Sequence, residues 1–108
     1  MPPSPTADRS TVRYHPRVDA NFMVKVTVDG RTLLAKARDL SMAGLFLYGA
    51  ESVRGSRVVL AIPLPKDREV VSPCRVARRH SQGLALEFDG LDWDDLLALA
   101  RYLHPRLP

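Results

Sequence analysis

Apolar and polar residues alternate along several short segments of the chain. In residues 22–28, a phenylalanine and three valines occupy every second position, and polar or flexible side chains occupy the others. A period of two predicts a strand with one buried face. Asp29-Gly30 follows directly, and this dipeptide is typical of a two-residue hairpin turn. The sequence therefore predicts a β-hairpin that begins with the strand at 22–28.

The same pattern predicts six strands, at residues 22–28, 32–38, 45–48, 57–62, 69–77 and 83–88. Gly44 interrupts the pattern between the second and third strands. Pro73 lies inside the fifth strand and favours an edge position or a bulge there, and residues 78–83 are predicted to turn the chain. Short strands at close spacing predict an antiparallel β-barrel.

Towards the C-terminus the period changes to that of a helix. The apolar residues that recur at helical spacing are Trp93, Leu96, Leu97, Ala100 and Leu103. Asp92 suits the N-cap, and Pro105 ends the helix. We predict a helix over 92–104 that packs on the barrel. The expected fold is mainly β, a six-stranded antiparallel β-barrel with a C-terminal α-helix.

The length and composition bound the organisation of the protein. The 108 residues predict one domain, at 12–104, after a Pro/Ser-rich tail at 1–11 that we expect to be disordered. One cysteine, Cys74, excludes an internal disulfide and is expected to be buried. The sequence has no apolar run of about 18 residues and no signal-peptide pattern. We expect a cytoplasmic monomer or weak homodimer without a membrane span.

The positive charge is concentrated near the N-terminus. The net charge is +4, and residues 1–38 contain seven Lys/Arg against three Asp. Such an excess is consistent with an anionic partner, which is a nucleotide, a nucleic acid or a membrane surface, and also with a solvated basic tail.

Asp39, Ser41 and Gly44 form a D-x-S-x-x-G pattern between the second and third strands. In extended chain, Asp39 and Ser41 point to the same face. An ionised Asp only accepts hydrogen bonds, so it suits the N1–H and N2–H donors of guanine. Gly44 permits a tight turn or close approach of a ligand. The alternative is an ordinary turn in which both polar side chains bond their own backbone.

Arg13 and Arg17 form an R-x-x-x-R pair before the first strand. Guanidinium groups match phosphate oxygens and the O6/N7 edge of guanine, and two of them on a flexible segment can close over a ligand. The spacing also occurs at Arg9/Arg13 and Arg75/Arg79, so by itself it equally fits solvated charge.

Taken together, the two motifs and the predicted barrel with its helix resemble the PilZ domain family over about residues 12–103. Pro16 and Leu45-Phe46-Leu47 extend the resemblance beside the motifs. PilZ domains are bacterial receptors for cyclic di-GMP, so the resemblance implies that ligand. It also implies that Arg13 and Arg17 contact guanine and phosphate.

By the same resemblance, Asp39 and Ser41 contact a guanine, and Gly44 is the family's glycine. The chain departs from many members in two places: Ser81-Gln82-Gly83 keeps one glycine of a G-x-G, and Thr11-Val12 lacks further arginine. Arg9 and Arg78 are candidate additional contacts.

Other functions receive less support from the sequence. The three histidines are scattered without cysteine partners, so we expect no metal and no cofactor. No paired carboxylates, phosphate-binding loop or catalytic triad is recognisable, and we expect no enzyme. A PilZ-like adaptor that acts on an unidentified protein without nucleotide, in motility or pilus control, is the alternative. A nucleic-acid-binding barrel is disfavoured because aromatic residues make up only 6% of the chain.

Overall fold

The computed structural model describes residues 16–50, 53 and 55–107. The strands are β1 (Val18–Asp19), β2 (Met23–Val28), β3 (Arg31–Leu40), β4 (Gly44–Tyr48), β5 (Arg57–Leu64), β6 (Arg68–His80) and β7 (Gly83–Phe88). The helix α1 spans Trp93–Leu103, and a short 3-10 helix, His104–Arg106, follows it.

Six of these strands close into a barrel. Their order is β3-β2-β5-β6-β7-β4, every neighbouring pair is antiparallel, and β4 also pairs with β3, which completes the circle. The two-residue β1 pairs with the last residues of β3. The predicted fold class, a six-stranded antiparallel barrel with a C-terminal helix, is confirmed.

The interior of the barrel consists of the alternate residues of each strand. In β2 these are the three valines at 24, 26 and 28, and in β5 they include Leu60 and Ile62. Burial of apolar surface at roughly 25 cal/mol per Å² is the main stabilising contribution to such a core. The alternation seen in the sequence is therefore the pattern of the barrel wall.

The Asp29-Gly30 hairpin is present as predicted. Asp29 has φ 51° and Gly30 has φ 75°, so both residues are in the left-handed region that a tight primed turn requires. The turn fixes the register of β2 against β3, with Val28 opposite Arg31.

The strand β6 differs from its prediction. It continues to His80, so the predicted turn at 78–83 is wrong and the turn is confined to Ser81-Gln82. Pro73 lies in a central strand, because β6 pairs with both β5 and β7. The Pro73 carbonyl accepts from the Asp89 amide at 2.8 Å, beyond the end of β7. In an antiparallel strand the N–H and C=O of one residue face the same neighbouring strand, which for Pro73 is the β7 side. The absence of an N–H at Pro73 therefore costs no hydrogen bond to β5.

The helix α1 lies across the end of the barrel where β3 and β5 finish. Its side chains Leu99 and Leu103 are buried against the barrel. The ring of Tyr102 meets the ring of Phe22 edge to face, with centroids 6.4 Å apart. The predicted apolar stripe is only in part the buried face, because Trp93 is 70% exposed and Leu97 is exposed, whereas Leu99, which the prediction left out, is buried. No helix in the described part of the chain is long and apolar enough to span a bilayer.

Asp92 caps α1 as predicted, since its Oδ1 accepts from the Asp95 amide at 2.8 Å. Removing an N-cap acceptor costs about 1 kcal/mol. We expect Asp92→Ala to lower the Tm by roughly 4–8 °C, the shift that 1 kcal/mol produces in a small domain. Thermal unfolding monitored by circular dichroism measures it. Asp92→Asn keeps an acceptor and should lose little; an equal loss in both variants would contradict the capping role.

Cys74 is fully buried in the barrel interior. Burial is the largest cause of the high pKa of its thiol; a hydrogen bond to Ser72 lowers the pKa, the nearby Asp89 carboxylate raises it, and together these effects move it from 9.0 to about 12. Because the unfolded thiol ionises at lower pH than the native one, the native state binds more protons between these values. Stability should therefore fall as the pH rises from about 9 to about 12.

The same burial predicts slow alkylation of Cys74. At pH 9 we expect iodoacetamide to label the folded protein much more slowly than the protein in guanidinium chloride, since the native thiol stays protonated and covered. The chain has one cysteine, so mass spectrometry reports this site alone. Similar rates in the two conditions would show that the thiol is accessible.

Candidate functional site

A β-bulge near the end of β3 determines which way Asp39 points. Ala37 pairs with Leu47, but Asp39 pairs with Phe46, so Arg38 is the extra residue. Ala37 and Leu40 are completely buried in the barrel. Uninterrupted alternation from Ala37 would turn Asp39 into the core; the bulge instead places Arg38 and Asp39 together on the outer surface.

The Asp39 carboxylate is held between two guanidinium groups. Arg17 Nη1 lies 3.4 Å from Oδ1, and Arg38 Nε lies 2.9 Å from Oδ2. Asp39 is only 8% exposed, whereas the side chains of Arg17 and Arg38 are 53% and 40% exposed. The site is thus a covered anionic acceptor with two more accessible cations beside it.

The Ser41 hydroxyl is engaged in the β3–β4 turn. Its oxygen accepts from the amides of Ala43 at 3.1 Å and Gly44 at 3.3 Å, and the Ser41 amide donates to the Gly44 carbonyl at 2.8 Å. The extended chain expected between Asp39 and Ser41 ends at Leu40. Ser41 therefore shapes the turn, as the ordinary-turn alternative proposed, while Asp39 bonds arginines rather than its own backbone.

Gly44 is required by the close approach of β4 and β7. Its φ is not in the left-handed region, so turn geometry alone does not demand glycine. A Cβ at this position would overlap the Leu86 carbonyl oxygen and lie 2.9 Å from the carbonyl carbon. Gly83, at the other end of the same strand pair, is constrained in the same way by the Leu47 carbonyl.

Asp39 begins a line of outward residues that crosses four strands. Phe46 pairs with Asp39 and with Ala85, and Ala85 pairs with Arg78. A second bulge, at Ala77 in β6, flanks Arg78 just as the first flanks Asp39. We call Asp39, Phe46, Ala85 and Arg78 the outer row. Its ends are roughly 14 Å apart at the usual strand spacing.

The Phe46 ring lies in the outer row but is shielded from solvent, with 2% exposure. The Arg38 guanidinium carbon sits 3.9 Å from the ring centroid, and Tyr48 and His80 meet the ring edge to face at 5.9 and 5.4 Å. The absence of a side chain at Gly83 leaves room for this ring. Arg38 is therefore fixed both by Asp39 and by an aromatic surface.

The described residues bring four of the predicted site positions together on one side of the barrel. Arg17 meets Asp39, and Asp39, Ser41 and Gly44 share one hairpin. Arg78 is exposed at the far end of the outer row. Arg13 and Arg9 lie outside the described residues.

The sequence reasoning did not identify Arg38 or Phe46 as part of the site. A signal for Phe46 was present, since Leu45 and Leu47 inside the barrel require the residue between them to face outward. No comparable signal existed for the pairing of Arg38 with Asp39, because only the bulge places Asp39 on the same face as Arg38.

The chemistry of this surface is that of anion and purine recognition. The covered carboxylate can accept N–H donors, and the surrounding guanidinium groups can bind phosphate or stack on a base. Within residues 16–50, 53 and 55–107, no three His, Cys, Asp or Glu side chains are arranged to hold a metal ion. All buried side-chain polar atoms of the described residues have hydrogen-bond partners.

Two solved structures share this fold. The Bacillus subtilis inhibitor of motility, MotI/DgrA, aligns over 85% of the chain with a TM-score of 0.73 and 22% identity. The chain spans about half of that protein, 49% of its length. The PilZ domain of CeSA from a cellulose-synthesizing bacterium aligns over 83% of the chain and 96% of its own length, with a TM-score of 0.65 and 20% identity.

A search of the curated proteins finds no match to this chain. The sequence does match the PilZ domain family model over residues 11–104, an interval that includes both arginines of the R-x-x-x-R pair, the β3–β4 hairpin and α1. The barrel, the hairpin that displays Asp39 and this match agree, and the chain belongs to the PilZ domain family, a family of cyclic di-GMP receptors.

Proposed function

We propose that this protein binds cyclic di-GMP on the outer row and signals to a partner protein. Arg13 and Arg17 close over a ligand whose guanine bonds Asp39, next to the turn formed by Ser41 and Gly44. The protein acts as a receptor and catalyses no reaction.

One observation supports this proposal more than any other: the two motifs meet in space. Arg17 and Asp39 are 22 residues apart in sequence, yet their side chains lie 3.4 Å apart. Arg17, the second arginine of the R-x-x-x-R pair, therefore lies beside the carboxylate of the D-x-S-x-x-G motif. A ligand that bonds Asp39 would lie within reach of Arg17.

The Arg17–Asp39 contact is suited to exchange. At 3.4 Å it is long for a charge-assisted hydrogen bond, and Arg17 is half exposed, so the pair contributes roughly 0–1 kcal/mol. A guanine N–H donor can replace Arg17 at Oδ1 and release its guanidinium for a phosphate. Arg38, bonded at 2.9 Å and stacked on Phe46, keeps the carboxylate in place during this exchange.

The expected affinity is within reach of these groups. A micromolar complex requires about 8 kcal/mol, and hydrogen bonds to charged groups contribute roughly 1.5–3 kcal/mol each. Two arginines, the Asp39 carboxylate and base stacking supply this amount after the entropic cost of binding is subtracted.

A route from the site to a partner passes through the β3–β4 turn. The Ala43 carbonyl accepts from the Phe88 amide at 2.8 Å, just before the chain leads into α1. Met42 and Ala43 also line a small groove with Leu91 and Leu96. A ligand that shifts this turn would therefore move groups that contact the start of the helix.

Calorimetric titration with cyclic di-GMP tests the proposal. We expect saturable binding by the wild-type protein, no comparable heat with GTP, and loss of measurable binding in Arg13→Ala/Arg17→Ala. The matched control is Lys25→Ala/Arg31→Ala, which removes two exposed positive charges from β2 and β3 away from the outer row. This control should bind like the wild type.

No binding by folded wild-type protein would contradict the proposal. Equal weakening in both double variants would show that net charge, rather than the arginine pair, determines the affinity.

The second candidate is a nucleotide-independent adaptor in motility or pilus control. It is favoured by the completeness of the site without ligand, since Asp39 is already paired and the Ser41 hydroxyl already bonds its turn. The likeness to an inhibitor of motility is compatible with it. Retention of a partner complex in Arg17→Ala/Asp39→Ala would favour this candidate.

A further inference from the structure

A second concave surface lies on the side of α1 away from the β3–β4 turn. It is a groove of about 620 Å³ between the β5–β6 turn and the helix. Leu64, Leu97 and Tyr102 contribute apolar surface to it, and Leu97 is 36% exposed. We call this the hairpin–helix groove.

The rim of the hairpin–helix groove is strongly basic. Its charged lining residues are Lys66, Arg68, Arg101, Arg106 and a single acid, Asp94. Arg68 is positioned by Asp95 at 3.1 Å, and Arg106 stacks 4.0 Å from the centroid of the Tyr102 ring. Neither Lys66 nor Arg101 has an ion-pair partner among residues 16–50, 53 and 55–107. Arg68 and Arg106 are thus held in place, whereas Lys66 and Arg101 are available to pair with negative charges of a ligand.

The hairpin that supplies Lys66 is conformationally costly. Lys66 and Asp67 have φ of 66° and 57°, in the left-handed region, which an aspartate tolerates but a lysine disfavours. Such backbone outliers cluster at ligand-binding positions. Here the outlier places a lysine, rather than a glycine or asparagine, at the edge of the groove.

We propose that the hairpin–helix groove binds an acidic segment of a partner protein, with one apolar side chain of that segment packed against Leu97 and Tyr102. The excess of positive over negative lining groups complements such a segment. The exposed leucine and the tyrosine provide the apolar contact in the centre of a charged rim, as in other peptide grooves.

A peptide fits this surface better than a bilayer or a nucleic acid. The groove is concave, whereas a lipid headgroup surface is flat. Asp92, Asp94 and Asp95 occupy the first part of α1 and its cap beside the groove, where they would repel an extended polyanion. A short acidic segment can place its carboxylates on the cations without crossing that part of the helix. This proposal extends beyond nucleotide binding and does not depend on it.

A random 12-residue peptide library displayed on phage, selected on the intact protein, supplies the probe. We expect the enriched peptides to contain several Asp or Glu and at least one leucine or aromatic residue. Fluorescein-labelled copies measured by anisotropy should bind at least tenfold more weakly to Lys66→Glu and to Arg101→Glu. Arg31→Glu, the same charge change at the opposite end of the barrel, should stay within twofold of wild type.

Circular dichroism melts verify that each variant folds, and Arg101→Gln repeats the test without a reversed charge. The proposal is wrong if the selected peptides lack acidic residues, or if acidic peptides bind equally to the Lys66 and Arg101 variants. It is also wrong if only the binding of vesicles with 30% phosphatidylglycerol, or of poly(U) RNA, depends on Lys66 and Arg101. That result would assign the groove to lipid or nucleic acid.

Discussion

Asp39→Ala is expected to weaken cyclic di-GMP binding by about 100-fold without unfolding the barrel. The substitution removes both acceptor oxygens for guanine, and two hydrogen bonds to a charged group are together worth about 3 kcal/mol or more. It also leaves Arg38 without its carboxylate partner, so the surface that receives the base loses its order. Calorimetry on the purified variant measures the effect.

Two comparisons make the Asp39→Ala result specific. Asp39→Asn keeps one acceptor oxygen and should lose less affinity than the alanine variant. Asp94→Ala removes an exposed carboxylate from α1, away from the outer row, and should bind like wild type. Full affinity in Asp39→Ala would exclude a guanine contact at this position.

Gly44→Ala is expected to be the most destabilising small substitution in the β3–β4 hairpin. The added methyl group overlaps the Leu86 carbonyl and lies 3.0 Å from the Glu87 Cα, both of them backbone atoms that no rotamer change can move. Forcing atoms into such a contact typically costs 1–3 kcal/mol and sometimes more. We expect about 3 kcal/mol, a fall in Tm of roughly 12–24 °C for a domain of this size.

Gly55→Ala is the matched control for this steric effect. Gly55 has φ +79°, and a Cβ added there would have no atom within 4 Å, so alanine meets a conformational cost of about 1 kcal/mol but no overlap. Gly83→Ala should behave like Gly44→Ala, because the Leu47 carbonyl opposes it. If Gly44→Ala and Gly55→Ala melted at the same temperature, steric contact between β4 and β7 would not be the reason for glycine at 44.

The sequence predicted the parts of this fold that depend on local pattern. Alternation identified the barrel strands, Asp29-Gly30 identified a hairpin with two left-handed residues, and Asp92 identified the start of α1. Each of these features is determined by residues within a few positions of one another, so the sequence alone contains the information.

The features that position the candidate site depend on partners distant in sequence. Neither bulge has a residue signature, and alternation from Ala37 would have placed Asp39 inside the barrel. The restriction on Gly44 comes from a carbonyl 42 residues later, Leu86, rather than from its own turn. Pro73 was predicted to mark an edge or a bulge, because the sequence does not show that β7 ends before it reaches the Pro73 nitrogen.

Amide chemical-shift mapping during a cyclic di-GMP titration tests the central claim most directly. The account predicts that the largest ¹H–¹⁵N shifts arise at Arg17, Asp39 and Gly44, while Gly30 at the far hairpin stays unchanged. Saturable binding whose shifts exclude Arg17 and the β3–β4 hairpin, or the absence of any shift at millimolar ligand, would contradict it.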